Sequence, residues 1–195
     1  MTGISVVSVE LPEICIGEVM RYAGYRSADE RAEFEIAACI EEASGIFSNR
    51  VVYAELDVRI EGGICDFGLF SVRSAALAKN LSGSDRAIVF AATAGVGIDR
   101  LITKYSRLSP SRSVLFQAIG TERAEALCDA FCLDYEKKSG VALKHRFSPG
   151  YADLSLDTQR EIFKLLDCKR KIGVSLNDSL LMSPSKSVTA FVGIK

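Results

Sequence analysis

The stretch Arg146-Phe147-Ser148-Pro149-Gly150-Tyr151 concentrates more chemical capacity than any other six residues of the chain. Pro149 fixes its own φ and pushes Ser148 toward an extended conformation. Gly150 admits φ > 0, or a close approach of backbone to a ligand. Pro-Gly therefore marks a turn, flanked by the Arg146 guanidinium and the Tyr151 phenol. A guanidinium is a planar fork of donors that matches a carboxylate or phosphate. A phenol adds a flat apolar face and one hydroxyl. Such a loop suits a small, partly apolar molecule that carries a carboxylate. The same residues also fit a plain strand-to-helix turn whose arginine makes a structural ion pair.

Upstream of this loop, Lys144 to Phe147 is short and extended. It follows a long helical pattern that runs to about Lys138. Ser109 is placed to cap that helix and Pro110 to occupy its first position. Val114, Leu115, Ala118, Ile119, Leu127, Phe131 and Leu133 fit one buried face. Downstream, Leu156 to Leu166 is amphipathic, with Asp157 early and Lys164 late, as the helix dipole favours. Val174–Leu181 and Ser187–Ile194 read as two strands joined by Met182-Ser183-Pro184-Ser185-Lys186.

Toward the N-terminus, Ile4–Val9 is a short strand. Ile14–Tyr22 has helical spacing and stops at Gly24. Arg26-Ser27-Ala28-Asp29-Glu30 opens a second helix whose apolar side holds Phe34, Ile36, Ala37, Cys39, Ile40 and Ala43. Val51–Ile60 and Ile64–Val72 read as an antiparallel hairpin around Glu61-Gly62-Gly63. Arg73–Leu81 is helical and Arg86–Thr93 is a buried strand. Gly95-Val96-Gly97 then resembles part of a dinucleotide fingerprint. The third glycine is missing, which favours an ordinary strand-to-helix turn. The sum is an α+β fold: an antiparallel or mixed sheet with flanking helices, in a bent, C-shaped body. Residues 1–195 are expected to form a single domain.

Composition narrows the function. The chain is 48% hydrophobic and 25% charged, which is globular rather than disordered. A net charge of −1 supplies no basic field for nucleic acid. No apolar run reaches the 18 or so residues of a membrane span. Met1-Thr2-Gly3 lacks the basic and apolar regions of a secretory signal. Cys15, Cys39, Cys65, Cys128, Cys132 and Cys168 form no CxxC pair and sit in apolar segments, as free buried thiols of a reducing cytoplasm do. Cys128 and Cys132 stand one helical turn apart, but with a single His145 they fall short of a structural zinc set. No metal site is expected. Lys169-Arg170-Lys171 reads as a solvated helix end.

Taken together, Ala124-Glu125-Ala126, the Arg146-x-x-Pro149-Gly150-Tyr151 loop with its following helix, and the tail Gly173-x-x-Leu176-x-x-Ser179 with Met182-x-Pro184-x-x-Ser187-Val188 form an ordered pattern. It resembles the activation (reactivation) domain of cobalamin-dependent methionine synthase, in a free-standing form. The resemblance is strongest over residues 120–194. It implies binding of S-adenosylmethionine beside an oxidised corrinoid. A partner protein carries the cobalamin: a methionine synthase lacking this domain, or another corrinoid methyltransferase. An external electron and the methyl of S-adenosylmethionine then restore methylcobalamin, the cofactor supplying the redox chemistry.

The resemblance places Arg146 on the ligand carboxylate and the backbone around Ser148 and Gly150 on its polar groups. It places Tyr151 in the pocket wall and Glu125 opposite the ammonium or sulfonium. No catalytic residue is implied. The family's N-terminal ligand acid has no placed counterpart here. Ala152-Asp153-Leu154 replaces the large enzyme's Pro- and Cys-containing run, and the large enzyme's tyrosine-bearing segment past the last strand is not matched. Two other expectations stand beside this one. One is a docking or scaffold module for a corrinoid protein that binds no methyl donor. The other is an independent methyltransferase, which lacks any evident general base beyond His145.

Overall fold

The computed structural model describes residues 3–27 and 30–195. In chain order the elements are β1 (Ile4–Ser8), α1 (Ile16–Ala23), α2 (Glu30–Glu42), β2 (Arg50–Asp57), β3 (Arg59–Glu61), β4 (Ile64–Asp66) and β5 (Ser71–Arg73). There follow α3 (Ala75–Leu81), β6 (Arg86–Thr93), α4 (Gly97–Leu108), α5 (Pro110–Ser139), α6 (Thr158–Leu166), α7 (Cys168–Ile172), β7 (Ser175–Leu176), β8 (Met182–Ser183) and β9 (Ser187–Gly193).

The central sheet has the order β1-β2-β6-β9, and every pairing in it is antiparallel. The mixed alternative is not realised. Two-residue alternation sorts its side chains to opposite faces. Val52, Ala54, Leu56, Val89, Ala91 and Phe191 pack on one face with Leu77, Leu81, Ile162, Leu166 and Ile172 from α3, α6 and α7. Val51, Ile88, Phe90, Ala92, Ala190 and Val192 pack on the other with Leu127, Cys128 and Phe131 of α5. A third core joins α1, α2, α4 and the first half of α5 through Val19, Ile36, Ile98, Phe116 and Ile119. Helix α5 thus serves two cores. Its 30 residues span about 45 Å at 1.5 Å per residue.

Several expectations change. Val51–Ile60 is not one strand of a hairpin: β2 ends at Asp57, and the Val58 amide turns away to donate to the Asp85 carbonyl at 2.9 Å. The hairpin around Gly62-Gly63 keeps only the three-residue arms of β3 and β4. β2 pairs instead with distant β1 and β6, which local patterning does not report. Val174–Leu181 shrinks to the two residues of β7, because Asn177 starts a turn: its side chain accepts from the Leu181 amide at 2.8 Å, and Leu180 is left-handed at φ 62°. Phe34, Val114 and Leu133 are 75%, 51% and 54% exposed, so they leave the buried faces assigned to them. Ser109 precedes α5 with Pro110 at its start, but the Ser109 hydroxyl meets Ser111 and caps no amide. Cys15 is exposed, while Cys39, Cys65, Cys128 and Cys168 are buried. Ala28 and Asp29 of the expected α2 start lie outside the described residues.

The glycines of Gly95-Val96-Gly97 serve packing. A Cβ on Gly97 would lie 2.4 Å from the Ile46 carbonyl oxygen, and one on Gly95 2.2 Å from the Ser48 hydroxyl. The turn is therefore closed by residues 46–48 of the chain itself. Among the described residues, no helix is long and apolar enough to cross a membrane. No group of three or more His, Cys, Asp or Glu side chains among them is arranged to hold a metal ion.

Candidate functional site

The Arg146 loop is fastened on both sides. Before it, Phe147 exchanges two 2.9 Å backbone hydrogen bonds with Phe191 of β9. Within it, the Gly150 amide donates to the Leu154 carbonyl at 2.8 Å and the Tyr151 amide to the Ser148 carbonyl at 3.2 Å. Gly150 uses the left-handed conformation, φ 87°, that the turn demands. The Tyr151 ring stands edge-on to Phe147, centroids 5.6 Å apart.

After the loop, Asp153 ties the segment to the start of α3. Its carboxylate accepts from the Ser74 hydroxyl at 2.5 Å and from the Ala75 and Ala76 amides at 2.7 and 3.2 Å. The Ser74 hydroxyl in turn accepts from the Leu77 amide at 3.0 Å. The Ser74 bond, followed by those from the two amides, holds the Asp153 carboxyl below its ordinary value of 3.8. A depressed carboxyl stabilises the fold above its unfolded pKa and loses that contribution as pH falls through the lower, folded value. Wild type is therefore expected to melt above Asp153→Asn from neutral pH down to about pH 4, with the gap closing below it. Melting curves over pH 2–7 check this, and a gap that does not change with pH would refute it.

Beside the loop lies an open pocket of about 440 Å³. It is lined by Glu125 and Asp129 of α5, by His145, Arg146, Phe147, Ser148 and Tyr151 of the loop and its approach, and by Val188 of β9. Arg146 is the charge centre. Its Nη2 donates to Glu125 Oε2 at 3.0 Å and lies 2.9 Å from Asp129 Oδ1. Burial opposes the Arg146 charge, but the neighbouring Cys128, Asp129 and Glu125 outweigh it and raise its pKa. Burial pushes the Cys128 and Cys132 thiols up to about 12 and about 11, so both stay protonated and unreactive near neutral pH.

Of the five residues expected at a site, the pocket gathers Glu125, Arg146, Ser148 and Tyr151. Gly150 is not in its lining; its amide is spent inside the loop on Leu154. Asp129 was not anticipated. Its signal was nonetheless present, since it stands one helical turn after Glu125.

The family described as vitamin B12 dependent methionine synthase, activation domain, matches residues 76–194. The chain belongs to this family. The match contains the whole Arg146 loop, the Glu125–Asp129 turn of α5 and the C-terminal strands. The activation-domain fold extends beyond it. The crystal structure of the MetH reactivation domain bound to AdoHcy superposes on the chain with a TM-score of 0.67 and 15% sequence identity. It covers 98% of this chain and 78% of that one. Among curated proteins no sequence matches. The α+β architecture is thus that of an activation domain, including α1, α2 and β1, which lie outside the family match.

Proposed function

We propose that this activation domain binds S-adenosylmethionine in the Arg146 pocket and supports the reductive methylation of an oxidised corrinoid on a partner protein. Residues 1–195 act as one activation-domain unit in this reading. The observation that carries it is the charge set of the pocket. One guanidinium lies between two carboxylates, a local sum of −1. S-Adenosylmethionine carries a carboxylate, an ammonium and a sulfonium, a sum of +1, so pocket and ligand are complementary in total charge and group by group. The AdoHcy in the related reactivation domain supports the same ligand class.

Arg146 holds the carboxylate, and Glu125 faces the cationic groups. Ser148 offers polar atoms at the wall, and the 69%-exposed Tyr151 ring offers an apolar face at the mouth. When bound, S-adenosylmethionine supplies the methyl group; the partner's cobalamin supplies the redox chemistry. The free thiols fit a reducing cytoplasm as the setting.

Calorimetric titration of S-adenosylmethionine into wild type and Arg146→Ala tests this. A charge-assisted hydrogen bond contributes about 1.5–3 kcal/mol, so the variant is expected to bind roughly ten- to a hundredfold more weakly. One observation favours a second reading: Arg146 already has two internal carboxylate partners, as a purely structural arginine would. Wild type that binds no S-adenosylmethionine, alone or with added cobalamin, would establish that reading, a docking module without a methyl donor.

A further inference from the structure

We propose that Asp129 is a built-in stand-in for the ligand's carboxylate, holding Arg146 until the ligand arrives and displaces it. This role rests on the assignment of the pocket to an S-adenosyl amino acid.

Glu125 and Asp129 stand one turn apart on α5, where like charges repel. Arg146 Nη2 lies between them and removes that cost, but it holds them unequally. Glu125 accepts a hydrogen bond at 3.0 Å, and its side chain is 44% exposed. Asp129 is an ion-pair contact at 2.9 Å with its side chain 67% exposed. An exposed carboxylate gains little from such a pair and returns to water at little cost. Asp129 is therefore the partner that leaves.

The guanidinium also has capacity to spare. Its second terminal nitrogen, Nη1, is buried and has no hydrogen-bond partner. Asp129 meets Arg146 through one oxygen at Nη2. A ligand carboxylate that displaces Asp129 takes over Nη2 and, once that displacement uncovers the buried Nη1, adds the second bond of the bidentate geometry that a guanidinium fork favours. The incoming group thus gains a bond that Asp129 does not make.

The test compares wild type and Asp129→Asn by calorimetry with two probes, S-adenosylhomocysteine and 5′-methylthioadenosine. The second keeps the nucleoside and thioether but lacks the amino-acid head. Removing an exposed competing ion pair should tighten S-adenosylhomocysteine about two- to fivefold and leave 5′-methylthioadenosine unchanged. Asp129→Glu, which restores a competing carboxylate, should return toward wild type. The gain should vanish in the Arg146→Ala background. Weaker S-adenosylhomocysteine binding by Asp129→Asn, or an equal change for both probes, would overturn the role while leaving the ligand assignment in place. Wild type that binds neither probe would overturn the ligand assignment, and this role with it.

Discussion

Glu122→Ala lowers the stability of this domain by about 3–5 kcal/mol, the cost of removing one partner from a buried ion pair. Glu122 and Arg123 are each 5% exposed, neighbours on α5 where two of the cores meet. Arg123 donates through Nε and Nη2 to the two Glu122 carboxylate oxygens at 2.5 and 2.6 Å. The pair also reaches outward. Arg123 Nη1 donates to the Pro12 carbonyl at 2.7 Å, and Glu122 Oε1 accepts from the Cys15 amide at 3.2 Å. The truncation leaves a guanidinium buried without its counter-ion and the segment entering α1 without its anchor. For a chain of this length the melting temperature should fall by roughly 6–20 °C. Thermal and urea unfolding measure it. A double replacement, Glu122→Met with Arg123→Leu, should recover much of the loss, because it buries no unpaired charge. A single-variant loss below about 1 kcal/mol would show that the pair is hydrated rather than buried.

Phe131→Ala is expected to cost a similar amount, about 3–5 kcal/mol. Phe131 is 2% exposed on the face of α5 that lies on the sheet. Its ring centroid is 5.1 Å from Phe90 and 5.2 Å from Tyr53, with Tyr135 at 6.4 Å, so one truncation breaks three aromatic contacts and opens a cavity. The same turn of helix carries Asp129 on its outer side. The loss of packing should therefore also loosen the α5 residues that line the pocket. Urea denaturation gives the stability change. A cost near that of a surface substitution would mean that α5 does not rest on the sheet as described.

Much of this architecture is legible in the chain. The long helix announces itself through Ser109-Pro110, its apolar spacing and Gly140, which takes the left-handed stop at φ 71°. The buried strand at 86–93 holds a continuous apolar run, the final strand is mostly apolar, and both lie in the central sheet. What escapes local reading is long-range choice. Nothing in Val51–Ile60 tells that Val58 leaves the ladder for Asp85 or that β1 becomes the partner of β2. Phe34 and Leu133 obey helical periodicity and yet face outward, because periodicity fixes relative angle and not which side meets a neighbour. At the pocket, Arg146 and Tyr151 stand out by chemical type. Glu125 does not stand out by chemical type; the family resemblance picks it out, and folding sets it against Arg146, twenty-one residues away. Asp153, which anchors the loop to α3, resembles any other loop acid until Ser74 is brought to it.

The two borders of the central sheet differ. Beyond β9, Leu143 and Phe147 already bridge to Ile194 and Phe191. Beyond β1, the described residues place no further strand, and Ile4 and Val6 are 36% and 40% exposed. Among the described residues, the β1 margin is thus the more open of the two, and an unpaired edge of this kind is the side of a sheet where further backbone can add.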